Sequence, residues 1–86
     1  MAPYAVTKAA VLALTEALAE DVRPYDVNVN CVLPSVIDTP ANRRDLPDAD
    51  PRRWVRPEQL ARIMVWLTSP GADPINGAAL PVYARA

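Results

Sequence analysis

Apolar side chains recur at helical spacing from the start of the chain. Val6, Ala10, Leu14, Leu18 and Val22 repeat every four positions, with Ala9, Ala13 and Ala17 beside them, and this period predicts a helix over 4–23. Alanine and leucine are strong helix formers. Pro24 ends the segment, because proline has no amide hydrogen and its ring collides with the preceding turn. From Ala9 to Leu14 the helix is apolar nearly all round, which predicts cover on more than one side. Glu16, Glu20, Asp21 and Arg23 put one face of its later half in water.

The period then changes to two. Val27, Val29, Cys31 and Leu33 alternate with Asn28, Asn30 and Val32, the pattern of a strand over 27–33 that Pro34 closes. The two asparagines need hydrogen-bond partners if their face is buried. Residues 38–56 have no clear period and predict a long loop with room for a short helical turn. A second helix is predicted over 57–68. Pro57 suits its first position, Leu60, Ile63, Met64 and Leu67 form an apolar stripe, and Trp66 lies off that stripe. Ser69-Pro70-Gly71 stops it, and Asn76-Gly77 marks a turn. Residues 78–83 make a short strand candidate in which Pro81 argues for an edge position.

The order is helix, strand, long loop, helix, strand. This is an α/β arrangement, and two strands separated by a helix should run parallel. Two strands make a poor sheet with open edges. Residues 1–86 therefore predict a single partial domain, completed by self-association.

Composition narrows the function. At 86 residues and 51% hydrophobic, the chain suits one small globular domain. A net charge of −1 with no basic stripe argues against nucleic acid as a partner. No segment is long enough to cross a membrane. The short apolar run after Lys8 is too brief for a secretory signal and is followed by acidic residues in helical register. Histidine is absent, and Asp45, Asp48 and Asp50 lack metal-ligand spacing, so no metal site is expected. Cys31 is the lone cysteine, which reads as a small buried hydrophobe in a reducing cytoplasm. The loop 38–56 mixes four aspartates with five arginines. They read as a solvated, self-compensating surface, or as a lid over a ligand with Leu46 and Trp54 as apolar contacts.

Candidate chemistry lies in Tyr4-Ala5-Val6-Thr7-Lys8, which holds the only lysine of the chain. Residues i and i+4 share one helix face. A tyrosine phenol ionises near pH 10 (about 10), and an adjacent ammonium favours the phenolate. Such a pair can exchange a proton with a carbonyl or alcohol oxygen. Spacing alone favours the plainer reading, an aromatic ring packed on an aliphatic lysine stem.

This stretch resembles the Tyr-x-x-x-Lys motif of the short-chain dehydrogenase/reductase family. Val29-Asn30-Cys31-Val32-Leu33-Pro34 resembles the strand after the family's catalytic helix, and Ile37-Asp38-Thr39 its Ile-x-Thr segment. Residues 57–68 look like its last helix, and Ile75-Asn76-Gly77 with Leu80 and Val82 like the approach to its last strand. The resemblance covers nearly the whole chain. It implies a truncated Rossmann-like unit and an NAD- or NADP-dependent oxidoreductase acting between carbonyl and alcohol. Tyr4 would be the acid/base. Lys8 would be its partner and a ligand of the nicotinamide ribose, with Pro34, Ser35, Ile37 and Thr39 on the cofactor side.

Departures from the family pattern are equally specific. The glycine-rich phosphate loop and the catalytic serine, which the family places before its tyrosine, have no counterpart. The two glycines, Gly71 and Gly77, lie late. Ser35 replaces the usual glycine after Pro34, and the end reads Tyr83-Ala84-Arg85. The implied unit is inactive alone. Its expected partner is a second copy, in a homodimer or higher oligomer, or a Rossmann half supplied in trans.

Overall fold

Two short strands, β1 (Cys31–Pro34) and β2 (Ala79–Val82), pair in parallel, with Cys31 opposite Ala79 and Pro34 opposite Val82. They belong to a computed structural model that describes residues 2–86. Around them stand α1 (Ala2–Val22), α2 (Pro40–Asp45) and α3 (Pro57–Leu67), with single 3-10 turns at Arg23–Tyr25, Pro51–Arg53 and Pro70–Ala72. The expected α/β order with a parallel pair is present.

The ladder is shorter than the alternating pattern predicts and shifted by one residue to include Pro34. Residues 27–30 face the turns at 73–78, where the backbone ladder thins to one bond, from Gly77 N to Val29 O at 2.8 Å. Side-chain amides replace the missing rungs. Asn30 Nδ2 donates to Ile75 O at 3.0 Å, and Asn30 Oδ1 accepts from Ala78 N at 2.9 Å. Asn76 Oδ1 accepts from Val29 N at 2.9 Å, and Asn28 Nδ2 donates to Asp73 O at 2.7 Å. The partners that the asparagines require are thus backbone groups of the last loop.

Cys31 N donates to Ala78 O and Ser35 N to Val82 O. In a parallel pair these alternate positions face the partner strand, so Pro34 and Pro81 lie out of phase, each on an open edge. Neither proline removes a rung, and each blunts the edge on which it sits.

α1 packs through a face that its apolar repeat does not mark. Thr15 and Ala19 are buried and Leu12 and Val22 half-buried, whereas Val6 and Leu14 are 68% and 63% exposed. The expected cover on more than one side is therefore not supplied within this chain. Apolar residues ring the helix, so hydrophobicity alone selects no face, and close approach decides. Gly77 has φ +72, and a Cβ there would lie 3.5 Å from that of Ala19. The small pair lets the helix rest on the turn before β2. The Thr15 hydroxyl, buried in this contact, donates to Val11 O at 2.7 Å and so stays satisfied. On α3, Leu60, Ile63 and Leu67 are half-buried as the stripe predicts, but Met64 is exposed.

The segment 38–56 is more ordered than a loop. Thr39 caps α2, Asp50 caps the turn at Pro51–Arg53, and Ile37 forms a parallel bridge with Val55. Val55 N donates to Val36 O at 3.0 Å and Asp38 N to Val55 O at 2.7 Å. Trp54 and Val55 are buried, and Val55 is the only large side chain fully enclosed among the described residues. The two apolar contacts of the lid reading separate. Trp54 faces the core because the bridge turns its segment inward, while Leu46 is left on the surface.

So small a core leaves much surface open. The accessible area is 6378 Å², against about 5,000 Å² for a compact monomer of this mass. The radius of gyration is 15.0 Å, against roughly 12 Å for a compact chain of this length. Asn30→Ala leaves two backbone groups of the last loop unpaired, so it should lower stability by about 1–3 kcal/mol. A urea titration followed by circular dichroism checks this, with exposed Asn28→Ala expected to cost less.

Candidate active site

Tyr4 and Lys8 stand on the same face of α1 as Leu12, Thr15 and Ala19, one and two turns before the first of these. That face lies on the sheet, so both side chains reach its edge. Lys8 Nζ sits 5.3 Å from the centre of the Tyr4 ring, within the range of a cation–π contact. The contact keeps the ammonium beside the tyrosine. The two residues line a cleft of about 180 Å³ with Leu12, Leu33, Pro34 and Tyr83. Pro34 and Tyr83 lie at the carboxyl ends of β1 and β2, where open α/β sheets hold their ligands.

Of the cofactor-side residues read from sequence, Pro34 joins Tyr4 and Lys8 in this cleft. Ser35 stands next to it, its hydroxyl donating to Tyr83 O at 3.0 Å. Ile37 and Thr39 lie further along the chain and do not line it. Ile37 O accepts from Asn42 Nδ2 at 2.8 Å, and Thr39 Oγ1 accepts from Asn42 N at 3.1 Å as the cap of α2. Tyr83 is the cleft residue that sequence reasoning missed. Its only local signal is its place directly after the last strand, and its role arises from the parallel register.

Four of the nine charged residues of segment 38–56 pair with one another. Arg43 binds Asp38 through both carboxylate oxygens, at 2.7 and 2.9 Å. These hydrogen bonds, helped by the guanidinium charge, hold the Asp38 carboxyl below its ordinary value against a smaller opposing effect of burial. Arg43 is raised by the same pairing. Asp50 accepts from Arg52 Nε at 3.0 Å, Arg52 Nη2 at 3.2 Å and the Arg52 amide at 3.0 Å, and its carboxyl is likewise lowered. Among the described residues, no three potential metal ligands gather, and no helix is long and apolar enough to cross a membrane.

Comparison with known proteins interprets the cleft. A family profile described as Enoyl-(Acyl carrier protein) reductase matches residues 1–84. The cyclic-di-GMP-binding biofilm dispersal mediator protein of Escherichia coli is 35% identical over 85 residues, which cover 91% of this chain and 36% of the relative. A solved short-chain dehydrogenase/reductase from Serratia marcescens superposes with a TM-score of 0.81 at 31% identity, covering 95% of this chain and 36% of the other. The chain belongs to the short-chain dehydrogenase/reductase family.

Its fold is a partial Rossmann-like unit, and it spans about a third of the length of the curated relatives it matches. The 3-ketoacyl-(acyl-carrier-protein) reductase from Brucella melitensis, solved with NADH, superposes with a TM-score of 0.76 at 32% identity, over 94% of this chain and 35% of that one. Relatives of this chain therefore bind the nicotinamide cofactor. The residues present here suit one end of such a molecule. Lys8 offers up to three donors beside the Tyr4 cleft, which fits ribose hydroxyls. Gly71 and Gly77 lie after α3 and before β2, and neither forms the strand-to-helix turn that cradles phosphates.

The Asp38–Arg43 pair yields a pH dependence. The folded Asp38 carboxyl lies below its ordinary value of 3.8, so the pair contributes stability above that value. The contribution is lost as pH falls through the lowered one. The difference in thermal midpoint between wild type and Asp38→Asn should stay level from about pH 7 to about pH 5 and shrink below about pH 4. Differential scanning fluorimetry across this range is the check.

Proposed function

We propose that this chain carries the tyrosine–lysine side of an NAD- or NADP-dependent site that interconverts a carbonyl and an alcohol. We propose further that these 86 residues do not turn over alone. The observation that carries the reading is the convergence of Tyr4, Lys8 and Pro34 on one cleft at the carboxyl end of the sheet.

In this reading the Tyr4 phenol gives its proton to a substrate carbonyl oxygen as the alcohol forms, and takes it back in the reverse direction. The nicotinamide, when bound, supplies or accepts the hydride at the substrate carbon. Lys8 stabilises negative charge on the Tyr4 oxygen and holds the ribose hydroxyls. Pro34 walls the site, and the Ser35 bond to Tyr83 O fixes the opposite side. Ile37 and Thr39, which lie outside the cleft, would meet the carboxamide end of the cofactor. The same geometry supports inactivity of the isolated chain. The cleft of about 180 Å³ is smaller than a typical ligand pocket of ~300–1,000 Å³, and no phosphate anchor contributes affinity.

Titration with NADH and NADPH, read by Trp54 and Trp66 fluorescence, should show no saturable change below millimolar cofactor. A panel of ketones should show no turnover. Saturable binding that weakens in Lys8→Ala, or turnover abolished by Tyr4→Phe, would overturn the inactivity while establishing the site.

A second reading rests on the open surface. The chain exposes roughly 1,400 Å² more than a compact monomer of its mass, which exceeds the ~800 Å² that one partner buries in a standard interface. Val6 and Leu14 of α1 and Val65 of α3 contribute apolar area to that surface. The proposed occupant is a second copy of this chain. Light scattering at micromolar concentration should give a dimer or larger. A monomeric mass counts against it, and a mass that rises only when a chain carrying a glycine-rich Rossmann half is added points to completion in trans.

A further inference from the structure

A second cleft, of about 550 Å³, opens beside the segment that follows β2 and shares no residue with the tyrosine cleft. Arg43, Arg52, Arg56 and Arg85 line it together with Asp38 and Trp54. Four arginines around one hollow would repel one another unless countercharge is present. Arg43 and Arg52 have theirs in Asp38 and Asp50. Arg56 and Arg85 have no carboxylate within ion-pair distance among the described residues. The cleft therefore holds two uncompensated guanidinium groups.

Their placement is built rather than incidental. Arg85 is held at both ends of its peptide unit by one residue. Its amide donates to Arg53 O at 3.1 Å, and its carbonyl accepts from Arg53 Nε and Nη2 at 3.2 and 2.7 Å. Ala84, just before it, takes a left-handed conformation with φ 51, which a residue with a Cβ adopts only under strain. That strained turn brings Arg85 to the cleft. Arg56 stands at the start of α3, where its amide donates to Gln59 Oε1 at 2.9 Å. The N-terminal end of this helix adds a favourable field for negative charge. Asp38, fixed by Val55 and Arg43, closes the far side. Trp54 supplies an aromatic surface in the same hollow, though only a small part of it is exposed.

From this arrangement we infer that the cleft is a binding site for a small organic anion, its phosphate or carboxylate held by Arg56 and Arg85 and its flat or apolar body resting toward Trp54. Guanidinium groups bind both kinds of anion through paired N–H donors. The cleft volume lies within the ordinary range of small-ligand sites.

The test uses the full chain carrying Trp66→Phe, which leaves Trp54 as the fluorescent reporter. The probes are phenyl phosphate, benzoate and inorganic phosphate, each at matched ionic strength. Saturable change with phenyl phosphate, benzoate or both is expected, weakened at least tenfold by Arg56→Gln or Arg85→Gln and unchanged by Arg23→Gln. Which probe binds distinguishes a phosphate from a carboxylate ligand. Amide chemical shifts in the wild-type chain give a readout independent of the variants. They should move at Asp38, Arg56 and Arg85 and stay fixed at Tyr4 and Lys8. The inference is overturned by the absence of saturable binding, by binding insensitive to both arginine variants, or by shifts confined to the tyrosine cleft. Inorganic phosphate binding as tightly as phenyl phosphate overturns the assignment to an organic ligand.

Discussion

Asn30 joins two parts of the chain that are far apart in sequence. Its amide donates to Ile75 O and accepts from Ala78 N, across separations of 45 and 48 residues. It thereby does the work of one rung beside the backbone bond from Gly77 N to Val29 O. Asn28 and Asn76 extend the same clamp. Once these amides are satisfied, Cys31 must stand opposite Ala79, because a slip of one residue would break all four bonds and turn every strand side chain to the other face. That register in turn brings Pro34 and Tyr83 to the same end of the sheet, against Tyr4 and Lys8. The candidate active site therefore depends on polar contacts more than ten residues away from its tyrosine.

The helices and the parallel pair were legible because their signals are periodic and local. Pro24, Pro57 and the Asn76-Gly77 turn also punctuate the chain close to where its elements change. The Tyr4–Lys8 relation was legible because an interval of four on a helix is geometry. The packed face of α1 was not. Its apolar residues lie all round, and the choice of Leu12, Thr15 and Ala19 is made by a turn glycine nearly sixty residues away. Trp54 was misread for a related reason. A charged, proline-rich neighbourhood argues for surface, but the single bridge between Ile37 and Val55 draws that stretch into the interior. Tyr83 and the arginine cleft are products of tertiary proximity and leave no local trace.

The enclosed hydrophobic residues are few: Ala19, Trp54, Val55 and Ala72. Two of the four are alanines, which contribute little apolar area each. Backbone and amide hydrogen bonds therefore hold together what a larger core would hold by burial. The two edge prolines suit this situation. A thin sheet with both sides open is prone to add strands from other chains, and Pro34 and Pro81 each leave a gap in the row of donors. The sheet edges are thereby guarded against indiscriminate pairing.

The long span between the strands also orders events in time. No rung of the sheet can form until the chain has been made through β2, some 48 residues after Asn30 emerges. At a synthesis rate of ~5–20 residues per second, this is a delay of roughly 2–10 s. During it the Thr15 and Ala19 face of α1 lacks the turn before β2 on which it later rests. The contact between Ala19 and Gly77 is thus a late event, made only after nearly all of these residues have been joined.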